Sequence, residues 1–100
     1  MSIRQTRLTK AARGRECQVR IPGVCNGNPE TTVLAHYRLA GTCGVGHKPH
    51  DLQGAWACSA CHDVCDGRSK ALDRDTVRLY HAEGVMRTHQ ILLSESVLIL

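Results

Sequence analysis

Four of the six cysteines have the spacing of a metal site. Cys58 and Cys61 are separated by two residues, the spacing at which one turn presents two thiolates to a tetrahedral ion. Cys17 and Cys25 form a second pair, and a Pro-Gly turn lies between them. With 32 residues between the pairs, the pattern predicts a structural zinc site that joins an N-terminal loop to the start of a helix.

The two remaining cysteines, Cys43 and Cys65, are not needed for this site. Cys65 lies one helical turn after Cys61, so it is either an alternative zinc ligand or a buried apolar thiol. Six cysteines could also form disulfides. Residues 1–14, however, contain no apolar segment of the kind that directs secretion, so we expect a cytoplasmic protein with reduced thiols. A redox role of the paired cysteines lacks the thioredoxin-like βαβ pattern.

Two histidines and one aspartate could carry out catalysis. His62 and Asp66 are four residues apart in a predicted helix, so their side chains share a face and could bind a divalent cation such as Mg²⁺ or Mn²⁺. His36 lies near the end of a predicted strand and, as a neutral imidazole, could take a proton from water. If that strand packs on the helix, His36 can face the His62–Asp66 pair. The alternative is structural: histidines satisfied by local hydrogen bonds and a solvated carboxylate.

The elements that must position these residues follow from the apolar and turn patterns. We expect one domain over residues 1–100, of the small α+β class, with a C-terminal helix. Residues 41–52 are glycine-rich and are predicted as a surface loop, and the apolar residues 97–100 are predicted to add a strand or dock on the core. The predicted regular elements are a short helix at 8–13 capped by Thr9, strands at 31–37 and 55–57, a helix at 58–67, and a long helix from the N-cap Asp73 to about residue 95.

Composition limits what this domain can be. The chain has 100 residues with no Phe and one Trp, so large side chains for a core are scarce and a structural metal would supply folding energy. No apolar run approaches the length of a membrane span, which excludes a transmembrane protein.

The positive charge is concentrated at the N-terminus. Residues 1–20 carry six basic side chains against one acidic side chain, whereas the whole chain has a net charge of +4. A basic arm at residues 1–14 favours a nucleic-acid partner, most simply DNA, because phosphate binding releases counterions. A solvated tail is the alternative. The candidate phosphate-binding residues are Lys10, Arg13, Arg15 and Arg38.

Three stretches together resemble a known family. AARGRECQVRIPGVCN, LAHYR and ACSACHD, the last followed by Asp66, resemble the YbcO family of prophage nucleases, a branch of the HNH or ββα-metal endonucleases. The likeness extends over about residues 10–84. It implies a treble-clef fold, a zinc ion held by the four paired cysteines, a general-base histidine at His36, and cleavage of DNA to 5′-phosphate ends.

The sequence departs from the wider HNH pattern at two places. Ala35 stands where many HNH sites have a metal ligand, and no asparagine occupies the usual central position. Asp51 lies near that position and could orient His36 if the loop folds suitably. His47 or His50 could supply the missing ligand, although loop histidines often have no special role. The departures leave a second function open, a non-catalytic zinc module that binds DNA or protein.

Overall fold

The computed structural model describes residues 7–44 and 46–98. It confirms a small α+β fold with a two-stranded sheet and a long C-terminal helix. The start of the predicted basic arm, including Arg4, and the last two residues of the apolar tail lie outside the described residues. Of the helices that the described residues form, none combines the length and apolar character of a membrane span. In chain order the elements are α1 (Arg7–Ala11), β1 (Val33–His36), β2 (Gly54–Ala57), α2 (Ser59–Cys65) and α3 (Arg74–Ser94).

Strands β1 and β2 form an antiparallel pair in which Val33 lies opposite Ala57 and His36 opposite Gly54. The predicted first strand began too early, at residue 31. Residues Pro29–Thr31 instead form a 3₁₀ helix, because the Asn28 side chain accepts a hydrogen bond from the Glu30 amide and proline favours the first turn.

The alternation of side chains gives the hairpin two different faces. Leu34 packs in one core cluster with Trp56 and Leu92. Ala35 belongs to the other cluster, which contains the cysteines Cys58 and Cys61. The described residues therefore form two small cores, one on each face of the hairpin.

Helix α2 follows β2 directly, as predicted. Cys58 is its N-cap, and the Sγ atom of Cys58 accepts a hydrogen bond from the Cys61 amide. The chain leaves the helix at Gly67, whose φ of +80° favours glycine. The first turn of α2 thus places two cysteines at the hairpin end.

Helix α3 packs along the hairpin and covers both cores. The Asp73 carboxylate caps it by accepting from the Thr76 amide, which confirms the predicted start. Gly84 is required by close packing, because a Cβ atom there would lie 2.9 Å from Cγ2 of Val19 and 3.1 Å from its Cα. After the helix, Val97 and Leu98 pack on the second core, so the described part of the apolar tail docks and forms no strand.

Helix α1 also docks on the second core. Ala12 is buried there, and Leu8 and Ala11 pack against the cluster. Thr9 was predicted to cap this helix, but that prediction was wrong, since Thr9 lies inside the helix and its hydroxyl bonds to Asp51. The described part of the basic arm is therefore a docked helix.

Candidate functional site

The four predicted ligands Cys17, Cys25, Cys58 and Cys61 come together in the structure. Their Sγ atoms all lie within 4.8 Å of one another, and those of Cys25 and Cys58 are 3.9 Å apart. Tetrahedral zinc with Zn–S bonds of about 2.3 Å requires S–S distances of about 3.8 Å. The cluster therefore fits a metal ion such as zinc.

Backbone amides support the sulfurs. The amides of Asn26 and Cys61 both donate to Sγ of Cys58, each at 3.4 Å. The Arg20 amide donates to Sγ of Cys17, also at 3.4 Å, from a backbone with φ of +54°. Amide donors stabilise negative charge on sulfur, so the loop and the helix start are built to hold thiolates.

The thiols of the cluster interact strongly. A hydrogen bond with Cys61 lowers the pKa of Cys17 to about 4, and the same bond raises the pKa of Cys61. Burial raises the pKa of Cys25. The hydrogen bond between these two sulfurs therefore favours a thiolate in the cluster, which is the form that binds metal.

The other two cysteines lie outside the cluster. Cys65 is buried in the first core, and burial raises the pKa of this thiol to about 12. Among the described residues the ligand group includes Cys61 and not Cys65, which favours the interpretation of Cys65 as an apolar thiol. Cys43 is half-exposed in the glycine-rich loop, 3.7 Å from the Leu39 carbonyl.

His36 is paired with Asp51. The distance from Nε2 of His36 to Oδ1 of Asp51 is 2.6 Å, and the Thr9 hydroxyl donates to Oδ2 of Asp51 at 3.1 Å. Because a carboxylate only accepts, Nε2 of His36 carries a proton, and in the neutral form of the imidazole Nδ1 keeps a lone pair. Both side chains are partly exposed, 26% for His36 and 20% for Asp51. The arrangement gives an oriented imidazole that can accept a proton.

The path of the loop makes this pair possible. Residues Asp51–Gln53 form a 3₁₀ helix that His50 caps, with Nδ1 of His50 accepting from the Leu52 amide. The Gln53 side chain donates to the Tyr37 carbonyl, which fixes the loop end to the residue after β1. Asp51 is therefore held beside the end of the strand that carries His36.

His62 and Asp66 also form a pair, as their spacing predicted. Nε2 of His62 lies 3.2 Å from Oδ2 of Asp66, and the Arg68 guanidinium lies 3.3 Å from the same oxygen. The His62–Asp66 pair lies on α2, which packs against the hairpin face of Ala35. His36 lies on the opposite face of the hairpin, which it shares with Leu34. No hydrogen bond or ion pair found within residues 7–44 and 46–98 joins His36 to this pair.

Among the described residues, no third ligand completes a cation site at His62 and Asp66. Within the part of the chain that the structure describes, the four cysteines form the one group of three or more possible ligands. His50 uses Nδ1 for its cap, and His47 is exposed in the loop. The predicted cation would therefore have two protein ligands, one of them shared with Arg68.

His81 was missed by sequence analysis. It is buried on α3, with Nε2 2.8 Å from the Ala35 carbonyl and its ring 5.1 Å from the Tyr37 ring. Burial lowers the pKa of His81, and the charge of Asp66 opposes that shift. Its position on the buried stripe of α3, four residues after Val77, was the available signal.

A groove lies between α1 and the outer edge of β1. Its volume is about 360 Å³, and two exposed basic residues, Lys10 and Arg13, line it together with Thr9. The remaining lining residues are Thr32, Val33 and Leu34. The groove thus brings positive charge next to the hydroxyl that contacts Asp51.

The other two predicted phosphate-binding residues lie elsewhere. Arg38 is exposed after β1, with its guanidinium 3.4 Å from the Gly44 carbonyl. The Arg15 guanidinium makes two hydrogen bonds of 2.5 Å to Glu95 and stacks on Trp56, 4.7 Å from the ring centroid. Arg15 therefore links the segment after α1 to the C-terminal end of α3, and its side chain is already engaged within the protein.

The fold and the site define a class: a small α+β protein with a four-cysteine metal-site cluster and a histidine–aspartate pair. The family model described as "Putative nuclease YbcO" matches residues 6–97. Two relatives, "Putative nuclease YbcO" of Escherichia coli K12 and "Putative nuclease ybcO" of Enterobacteria phage 82, are each 60% identical over 91 residues, 91% of this chain and 95% of theirs. The chain belongs to the YbcO family.

A solved structure is similar to this fold. It is described as that of a "putative bacteriophage protein" from Escherichia coli K-12 MG1655. The two chains are 55% identical and superpose with a TM-score of 0.78 over 89% of this chain and 99% of the other. The similarity therefore extends over most of the fold.

Proposed function

We propose that this chain is an endonuclease that hydrolyses phosphodiester bonds in DNA, with His36 as the general base. The observation that carries the proposal is the 2.6 Å contact between His36 and Asp51. The contact lies beside a basic groove, and the chain belongs to a family named for nuclease activity. A base, its orienting carboxylate and nearby positive charge are the parts that phosphodiester hydrolysis requires.

The proposed reaction begins with a water molecule at Nδ1 of His36. Nδ1 takes one proton as the water oxygen attacks phosphorus, and Asp51 stabilises the imidazolium that forms. The bond from phosphorus to O3′ breaks, O3′ takes a proton from solvent, and a 5′-phosphate and a 3′-hydroxyl result. His36 then returns its proton to solvent, so the protein ends unchanged.

The groove accounts for substrate binding. Lys10 and Arg13 are positioned to neutralise backbone phosphates, and Arg38 extends the positive surface beyond the end of β1. Arg15 has no part in phosphate binding, because its guanidinium is already paired with the Glu95 carboxylate.

We further propose that the cysteine cluster binds zinc and that the hairpin and α2 form a treble clef of the HNH type. A hairpin followed directly by a helix with two cysteines at its start supports this assignment. The zinc would stabilise the fold. His62 and Asp66 would hold a divalent cation, which would supply positive charge for binding phosphate on the α2 side of the hairpin, opposite the face of His36.

Plasmid nicking tests the proposal. Zinc-loaded protein should convert supercoiled DNA to the open circle with Mg²⁺ or Mn²⁺, and His36→Ala should lower the rate by about 100-fold or more. Asp51→Asn should also lower it, because the amide cannot stabilise the imidazolium in the same way. His47→Ala is the matched control, since His47 is an exposed loop histidine, and it should keep the wild-type rate. Absence of cleavage by folded protein with every cation tried would refute the proposal.

One observation favours a non-catalytic DNA-binding module instead. Arg68 already lies against the Asp66 carboxylate, which weakens that residue as a cation ligand. This function predicts salt-dependent DNA binding without cleavage, with the same affinity in wild type and His36→Ala. Fluorescence anisotropy with a labelled duplex at several salt concentrations measures this directly.

A further inference from the structure

We propose that Thr9, on α1, is a positioning residue that aligns the general base His36 through Asp51. The inference rests on the proposed function, because it assigns a part of the same site. It adds a residue of α1 to a site whose other members come from β1 and from the loop that joins β1 to β2.

The Asp51 carboxylate is held at both of its oxygens. Oδ1 contacts Nε2 of His36 at 2.6 Å, and Oδ2 accepts from the Thr9 hydroxyl at 3.1 Å. A carboxylate held at one oxygen can rotate about its Cβ–Cγ bond, whereas one held at both has a fixed plane. The Thr9 hydroxyl is therefore one of the contacts that fix the plane in which Asp51 accepts from the imidazole.

Helix α1 provides a firm support for this contact. Ala12 is 1% exposed, and Leu8 and Ala11 pack on the core cluster that contains Leu34. Asp51, in contrast, begins a three-residue 3₁₀ helix at the end of a long loop. Because His36 shares the hairpin face of Leu34, α1 lies on the side of the sheet from which Asp51 must be held.

The same helix carries the substrate-binding groove. Thr9 lines that groove beside Lys10 and Arg13, and its hydroxyl also contacts Asp51. A nucleic-acid strand bound in the groove would therefore contact α1, the helix whose Thr9 contributes to the alignment of His36. This links phosphate binding to the orientation of His36.

Long-range ¹H–¹⁵N spectra of histidine-labelled, zinc-loaded full chain test the alignment without any assay of activity. At about pH 8.5, where neutral histidines predominate, His36 should be a single Nε2–H tautomer in the wild type. Thr9→Val and the smaller Thr9→Ala should both shift it toward a mixture of tautomers, and Thr9→Ser should keep the wild-type form. The buried His81 reports whether each variant has folded, since its contact with the Ala35 carbonyl is independent of α1.

Thr76→Val is the matched control. It removes another threonine-to-aspartate hydrogen bond, 2.7 Å to Asp73 at the start of α3, and should leave the His36 signals unchanged. His36 signals in folded Thr9→Val or Thr9→Ala identical to wild type would overturn the inference.

Nicking rates give the second measurement. A hydrogen bond to a charged group typically contributes about tenfold or more, so Thr9→Val should lower kcat by about tenfold with little change in KM, and Thr9→Ser should restore it. A higher KM with an unchanged kcat would indicate that Thr9 contacts the substrate in the groove, and it would overturn the positioning role. If no variant cleaves while the tautomer of His36 still responds to Thr9, the endonuclease proposal fails and the alignment stands.

Discussion

Removal of the metal from the four-cysteine cluster should unfold this chain. The loop between Cys17 and Cys25 carries Val19 and Ile21, both fully buried, into the first core. Exposing two such side chains costs about 3–6 kcal/mol. Structural zinc contributes about 10–16 kcal/mol of binding energy, whereas the net stability of a domain is about 5–15 kcal/mol. The apo chain is therefore expected at or below the limit of stability.

Far-UV circular dichroism during heating, combined with elemental analysis, measures this effect. Wild-type protein should contain one zinc per chain and melt cooperatively, and excess chelator should abolish the transition. Cys17→Ser should reproduce the loss, whereas Cys43→Ser should not, because Cys43 lies outside the cluster. A metal-free chain that melts at the wild-type temperature would refute the reasoning.

Three further predictions concern single side chains. Iodoacetamide should modify the half-exposed Cys43 and spare Cys65, whose thiol is buried with a pKa of about 12, as peptide mass spectrometry would show; equal labelling would count against this. Burial lowers the pKa of His81, so below pH 6.5 the unfolded chain binds a proton that the folded chain does not. As the pH is lowered below 6.5, the free energy of unfolding from urea melts should therefore fall by up to about 1.4 kcal/mol per pH unit, and less steeply in His81→Gln. Parallel slopes for the two proteins would contradict this prediction. Arg13→Ala should reduce the slope of DNA affinity against salt concentration by the equivalent of about one phosphate contact. Arg15→Ala should lower the Tm and leave that slope unchanged. The reverse result would be evidence against DNA binding in the groove.

The parts of the fold that depend on short-range patterns were predictable. The spacing of Cys58 and Cys61 at a helix start, and the four-residue step from His62 to Asp66, both depend on the geometry of one helical turn. The cap at Asp73 likewise needs only the next three residues.

The parts that depend on the path of the chain were not. Asp51 could be named from the sequence as a partner of His36 only on the condition that the glycine-rich loop folds suitably. The contact closes a 15-residue separation, and no local rule fixes where such a loop ends. Thr9 has the features of a cap in sequence, but its hydroxyl serves a residue 42 positions away. Arg15 is one of several arginines in a basic segment until the far end of α3 brings Glu95 against it.

Glycine and histidine on α3 show a different limit. Gly84 weakens a helix on propensity alone, yet the approach of Val19 leaves no room for a Cβ atom. His81 occupies a buried position of the helix, so its periodicity indicated burial, but the carbonyl of Ala35 that satisfies it comes from β1. At both positions, contacts with distant parts of the chain therefore explain the residue type.

The most direct measurement of the central claim is chemical rescue of plasmid nicking by free imidazole. His36 is about one-quarter exposed, so removal of its side chain should leave space that imidazole can reach from solvent. We expect zinc-loaded wild type to nick DNA, His36→Ala to lose about 100-fold in rate, and added imidazole to restore part of it. Nicking by His36→Ala at the wild-type rate without imidazole would contradict the assignment of His36 as the base.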